Sequence, residues 1–97
     1  MIICDTFGRP WREGLTNVAI GVAGFPPLTD YRGQTDTHGN RLSATVIAAA
    51  DELAAAAELV MGKTARRPAA VIRNFAWQAA PGYASELIRP PEKDLFR

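Results

Sequence analysis

The stretch IICDTFGRPWREG, Ile2 to Gly14, decides how the rest of the chain is read. Ile2, Ile3 and Cys4 form an apolar run that predicts the end of a buried strand, and Asp5 follows where such a strand would leave the core and meet solvent. In sheets flanked by helices, ligands gather at strand ends. Thr6 adds a hydroxyl and a carbonyl beside the Asp5 carboxylate, and hard oxygens of this kind suit magnesium or manganese. Gly8 predicts a sharp turn, and Pro10 fixes the step after it. Arg9 and Arg12 supply two planar guanidinium forks suited to phosphate or carboxylate oxygens. One anion for a metal and two cations for substrate charge are the inventory of a phosphoryl-transfer site. A plainer reading fits the same residues: Asp5 as a turn former, and Arg9 and Arg12 solvated or stacked on Trp11 and Phe7.

Composition bounds what the stretch can belong to. Ninety-seven residues make at most one small domain, and 47% hydrophobic with 22% charged residues is a globular balance. Eleven basic and 10 acidic residues leave a net charge of +1, with no basic stripe, so nucleic acid is not an expected partner. The single Cys4 excludes an internal disulfide and reads as a buried thiol in a reducing cytoplasm. No stretch resembles a signal peptide, and none has the roughly 20 apolar residues of a membrane span.

Working outward, Val18 to Gly24 (VAIGVAG) predicts a second buried strand. Gly21 and Gly24 fit no phosphate-loop spacing, so close packing of a neighbouring strand explains them better. Phe25-Pro26-Pro27 opens a loop that carries two turn signals, Asp30-Tyr31-Arg32-Gly33 and Asp36-Thr37-His38-Gly39-Asn40. A lone His38 beside glycine reads as structural, and Asp30 and Asp36 are better functional candidates, although turn formation is the expected role of both. Arg41 to Met61 predicts a long helix, with Leu42, Val46, Ala49, Leu53, Ala57 and Val60 on one face, Asn40 or Ser43 as cap and Gly62 just past the end. Alanine runs at 48 to 50 and 54 to 57 favour helix and permit close approach. Of Asp51 and Glu52, about 100° apart on such a helix, one is expected to face solvent and the other to orient a loop. Lys63, Arg66 and Arg67 follow the helix, where they would offset its dipole. Ala69 to Arg73 predicts a third strand, Phe75 and Trp77 packing residues, Pro81-Gly82 a turn, Ser85 to Ile88 a helical turn, and Pro90-Pro91 the end of regular structure. These elements make an α+β chain with a small mixed sheet and one long Ala-rich helix.

Several motifs in order resemble the coenzyme F420:L-glutamate ligase family. They are Asp5-Thr6-Phe7-Gly8-Arg9-Pro10-Trp11-Arg12, Ala19-Ile20-Gly21, Asp30-Tyr31-Arg32-Gly33, Asp36 with His38-Gly39, and Asp51-Glu52-Leu53-Ala54. Leu59-Val60-Met61-Gly62-Lys63, Leu87-Ile88-Arg89-Pro90 and Asp94-Leu95-Phe96 are similar to its actinobacterial branch. The resemblance covers essentially the whole chain. It implies a GTP-dependent amide ligase that adds L-glutamate to a coenzyme F420 precursor through an acyl phosphate, with Mg²⁺ or Mn²⁺ and room for K⁺. It implies that Asp5 and Thr6 hold metal, that Asp5, Arg9 and Arg12 act in catalysis, and that Met61, Gly62, Lys63, Thr64, Ala65, Arg66 and Arg67 lie against the nucleotide. Lys63 departs from the acidic metal ligand that archaeal relatives place after their Met-Gly pair. Met1 leads straight into a strand interior, so residues 1–97 are expected to be the carboxy-terminal half of a larger ligase domain, inactive alone and without the nitroreductase-like flavin domain of two-domain relatives. The family also implies a cytoplasmic homodimer, or pairing with the amino-terminal half. The rival reading is a non-catalytic remnant or small binding module that keeps the fold.

Overall fold

The Ile2–Gly14 stretch folds into the outer half of a β-hairpin. In the computed structural model, which describes residues 1–94, β1 (Ile2–Arg9) pairs antiparallel with β2 (Arg12–Val22). The motif residues Leu95 and Phe96 lie outside the described residues. Pairing of Ile2 with Val22 and of Arg9 with Arg12 leaves Pro10 and Trp11 as the turn. Pro10 presets the first turn torsion, and Trp11 takes a left-handed φ of +59°. The strand therefore does not end at Cys4: it runs on through Asp5, because Thr6 and Phe7 continue the alternation and register with Asn17 and Thr16. Gly8 is correspondingly a strand residue opposite Leu15, not a turn. Along β1 the half-buried Ile2, Cys4 and Thr6 alternate with exposed Ile3, Asp5 and Phe7. A Cβ on Gly21 would sit 3.2 Å from that of Ile3, so this glycine does serve close packing between strands.

The helix is shorter than its periodicity predicts. α1 covers Ala49–Met61, 13 residues or roughly 20 Å, rather than Arg41–Met61. Val46 and Ile47 are β-branched, and instead of opening the helix they form β4 (Val46–Ile47), antiparallel to β3 (Thr29–Asp30). Asn40 and Ser43 consequently cap nothing; the cap position is Ala48, with no side-chain bond, and Asp51 and Glu52 in the first turn complement the dipole instead. Gly62 ends the helix as expected, with φ +62° and its N–H donating to the Glu58 carbonyl at 2.9 Å. The buried face is Ala49, Ala50 and Ala54 against β2, whereas Val60 is exposed. Asp51 Oδ1 accepts the Ala19 N–H at 2.9 Å, and Glu52 faces solvent. The inward acid thus pins a strand rather than a loop.

Both sheets among the described residues are two-stranded and antiparallel, so the α+β class is realised by hairpin pairing. Asp30 and Asp36 are turn formers. Asp30 Oδ1 accepts the Arg32 N–H at 2.9 Å, and Asp36 Oδ1 accepts those of His38 and Asn40 at 2.9 and 2.8 Å. Ala69–Arg73 forms no strand, because no edge within the described chain pairs with it. Further on, Trp77 packs edge-to-face on Phe25 with centroids 6.5 Å apart, and the Ala80 N–H donates to the Gly24 carbonyl at 3.1 Å. A 3₁₀ turn at Ala84–Leu87 replaces the predicted one at Ser85–Ile88. Pro91 opens another at Pro91–Lys93, since a proline suits a first helical position, so the Pro90-Pro91 pair does not end regular structure. No described helix is long and apolar enough to cross a membrane.

Candidate functional site

Hairpin and helix are joined at one buried polar residue. Asn17 of β2 is 4% exposed, and its Nδ2 donates to the Ala54 carbonyl of α1 at 3.1 Å and to Cys4 Sγ of β1 at 2.9 Å. The carbonyl can only accept, so the amide nitrogen must be the atom turned toward it. This junction forms the floor of a cleft of about 460 Å³. Asp5 lines it from β1, and Met61, Gly62, Lys63, Arg66 and Arg67 line it from the end of α1 and the segment after it. Glu58 completes the helix side.

The structure therefore brings together residues that lie more than 50 positions apart in sequence, Asp5 and the segment after α1. Asp5 is exposed, and its Oδ1 accepts the Thr6 N–H at 2.8 Å. Thr6 itself does not line the cleft. Thr64 and Ala65 are exposed and also outside it. Arg9 and Arg12 face each other across the hairpin end, with Arg9 Nη2 donating to the Glu13 carbonyl at 2.9 Å and Nε buried without a partner. Neither arginine reaches the cleft.

The electrostatics of the wall are uneven. Lys63 Nζ lies 3.4 Å from Glu58 Oε1, a partly exposed ion pair that partly occupies its charge. Arg66 and Arg67 make no hydrogen bond or ion pair with any described residue, and Arg66 holds a left-handed φ of +56°. Two unengaged guanidiniums in a concavity are a ready receptor for phosphate oxygens. Among the described residues no group of three or more His, Cys, Asp or Glu side chains could hold a metal unaided. Asp5 still fits magnesium, which commonly takes one or two carboxylates and completes its shell with substrate phosphate and water.

Asn17, Cys4, Glu58 and Pro68 line the cleft without having been read from the sequence as site residues. Asn17 carried the one available signal, a residue of poor β-propensity inside a strand.

Residues 1–74 match the family model described as F420-0:Gamma-glutamyl ligase. The chain belongs to this family. It is 49% identical over 100 residues to the coenzyme F420:L-glutamate ligase of Methanothermobacter thermautotrophicus, covering 100% of this chain and 40% of that protein. Proteins of the same name from Methanopyrus kandleri and Haloarcula marismortui are 45% and 48% identical, again over 100% of this chain and over 40% and 38% of theirs. The chain thus spans about 40% of the length of the curated relatives it matches.

Proposed function

We propose that this chain supplies one wall and the floor of the active site of a cytoplasmic ligase that joins L-glutamate to a coenzyme F420 precursor at the expense of GTP. The observation that supports this reading is that Asp5 lines the same cleft as Lys63, Arg66 and Arg67. In the reaction, a carboxylate oxygen of the precursor attacks the γ-phosphorus of GTP, GDP leaves, and an acyl phosphate forms. The glutamate amine then attacks the acyl carbon, loses a proton, and expels phosphate to leave an amide.

Arg66 and Arg67 bind the phosphate oxygens as planar forks, and Lys63 is shared between Glu58 and the nucleotide. Met61 and Gly62 form the edge of the nucleotide subsite, with Thr64 and Ala65 shaping its loop. Asp5 would hold Mg²⁺ or Mn²⁺, which when bound neutralises charge developing on the transferring phosphoryl group. Thr6 serves this carboxylate through its backbone, by fixing Oδ1. Arg9 and Arg12, at the hairpin end, receive the anionic precursor or glutamate rather than the phosphate.

Because the chain spans about 40% of its relatives, the ligase reading includes the remaining part of the ligase, which closes the cleft. The test combines this chain with the longest stretch of the Methanothermobacter thermautotrophicus ligase that lies outside the matched region, and follows glutamylated product by mass spectrometry. Ligation that requires GTP and divalent metal and is abolished by Asp5→Asn is the expected result. Turnover unchanged by Asp5→Asn at limiting Mn²⁺ would make Asp5 a strand residue only and remove the cleft from the mechanism.

A further inference from the structure

A second cavity, of about 590 Å³, lies behind the cleft and is lined mostly by apolar side chains, with Leu53, Ala57 and Phe75 among them. Two features of its rim point to what it holds. Met1, Ile2, Ile3 and Cys4 all line it, and so do Ala69, Ala70, Val71 and Ile72. Side chains on an extended chain alternate between faces, so a cavity touching four consecutive residues runs along the edge of the chain rather than beneath one face. β1 therefore presents an edge to the groove that Ala69–Ile72 also lines.

Both segments also have unpaired backbone groups. β1 pairs only with β2, which leaves the hydrogen-bonding groups of its other edge open. From Thr64 to Ala79 no residue makes a hydrogen bond to another described residue, although Val71 and Ile72 are β-formers and Val71 is 80% exposed. Backbone amides and carbonyls are obligatory hydrogen-bonding groups, so such a stretch has donors and acceptors to offer a further strand.

We propose that the groove between Met1–Cys4 and Ala69–Ile72 is a slot for an added β-strand, and that its occupant is the part of the ligase polypeptide that this chain does not match. The occupant follows from length: relatives matched over all of this chain have about 60% of their residues elsewhere. That strand hydrogen-bonds β1 on one side and Ala69–Ile72 on the other, and turns β-branched or aromatic side chains toward Leu53 and Ala57. The third strand that the sequence predicts at Ala69–Arg73 is then completed by that unmatched part of the ligase. The proposal rests on the ligase reading for the identity of its occupant, though not for the slot.

The experiment mixes the full chain with the same stretch of the Methanothermobacter thermautotrophicus ligase and reads association by sedimentation and amide exchange by mass spectrometry. Expected is a complex in which the amides of Ile2–Cys4 and Ala69–Arg73 exchange at least about tenfold more slowly than in the chain alone. Ile72→Pro removes one donor from a segment that bonds nothing in the free chain, and Val71→Asp opposes burial; each should weaken association about tenfold or more while the circular dichroism of the free chain stays unchanged. No complex at micromolar concentration, or a complex without slowed exchange at these amides, overturns the slot. Concentration-dependent slowing in the chain alone assigns it to a second copy and overturns the stated occupant. A complex with slowed exchange that does not ligate keeps the slot and refutes the ligase reading, whereas ligation without slowing does the reverse.

Discussion

Asn17→Ala should destabilise the chain more than any exposed polar substitution, because one side chain ties three segments together. Its amide nitrogen makes two hydrogen bonds, to Ala54 O at 3.1 Å and Cys4 Sγ at 2.9 Å, from a site that is 4% exposed. Each bond contributes about 0.5–1.5 kcal/mol net, and the thiol is the weaker acceptor. The Ala54 carbonyl lies inside the helix and keeps its intrahelical partner, so the full cost of an orphaned group does not apply. Loss of about 2 kcal/mol is expected, equivalent to a fall of roughly 8–16 °C in melting temperature for a domain of this size. Asn17→Asp is the sharper probe. It keeps the shape but sets an oxygen against two acceptors, and burial raises its pKa above the ordinary value of about 3.9. A raised carboxyl pKa contributes stability only while the group is protonated, so the penalty of Asn17→Asp must grow as pH rises from about 3.9 through the folded value. Urea unfolding midpoints at pH 3.5 and pH 7 measure both effects. A cost below about 0.5 kcal/mol for Asn17→Ala, or a pH-independent cost for Asn17→Asp, would refute the argument that this amide holds hairpin and helix together.

Three further outcomes are expected. The chain alone should not ligate glutamate, since it spans about 40% of its relatives; GTP-dependent product from the purified chain would contradict this. Hydrogen bonds from the Arg32 side chain hold the Asp30 pKa down to about 2, so whatever the pair contributes is complete above about pH 4 and disappears as pH falls through 2. Carboxyl carbon NMR should show that midpoint, and Arg32→Ala should return it toward 3.8. Gly82→Ala would drive a methyl into the Phe25 carbonyl and within 3.0 Å of Pro26 Cα, so it should lift the carboxy-terminal segment and speed exchange of the Ala80 amide; unchanged exchange would show that the backbone yields there.

What the sequence disclosed and what it hid follow from the range of the interactions. The Asp30 and Asp36 turns, the Gly62 helix stop and the close approach at Gly21 are set by a few neighbouring residues, and each is legible. The start of α1 is not. Leu42 and Val46 fall on the helical period, but Val46 and Ile47 are claimed by Thr29–Asp30, a pairing that no local pattern announces. The length of β1 is hidden for a related reason: Asp5 reads as an exit from the core, whereas in a hairpin with one exposed face it is an ordinary outward residue. For the cleft, Asp5 and Met61–Arg67 were each marked by motif resemblance, while Asn17 needs both the hairpin register and the helix docking before it meets Cys4 and Ala54.

The two cavities share Cys4, Ala54's neighbour Asn17 stands between them, and Met61 and Pro68 line both. That geometry couples what fills one to what binds in the other. The floor of the cleft is already fixed, by Asn17 and by the Asp51 bond to Ala19. Its cationic wall is not: Arg66 and Arg67 lie within the stretch, Thr64 to Ala79, that has no hydrogen bonds to other described residues. Holding them around a phosphate costs backbone entropy of about 1–2 kcal/mol for each residue ordered. A strand bonded along Ala69–Ile72 would order the chain directly after Pro68 and bear part of that cost beforehand. The remaining part of the ligase, supplied as a separate polypeptide, should therefore tighten GTP binding by about tenfold or more, and by thermodynamic reciprocity GTP should tighten the polypeptide's binding by the same factor. Titration calorimetry of each ligand with and without the other measures both sides of the cycle. Equal GTP affinity in the presence and absence of the polypeptide would show that the wall is set independently of the slot, with Arg66 and Arg67 held by their own loop.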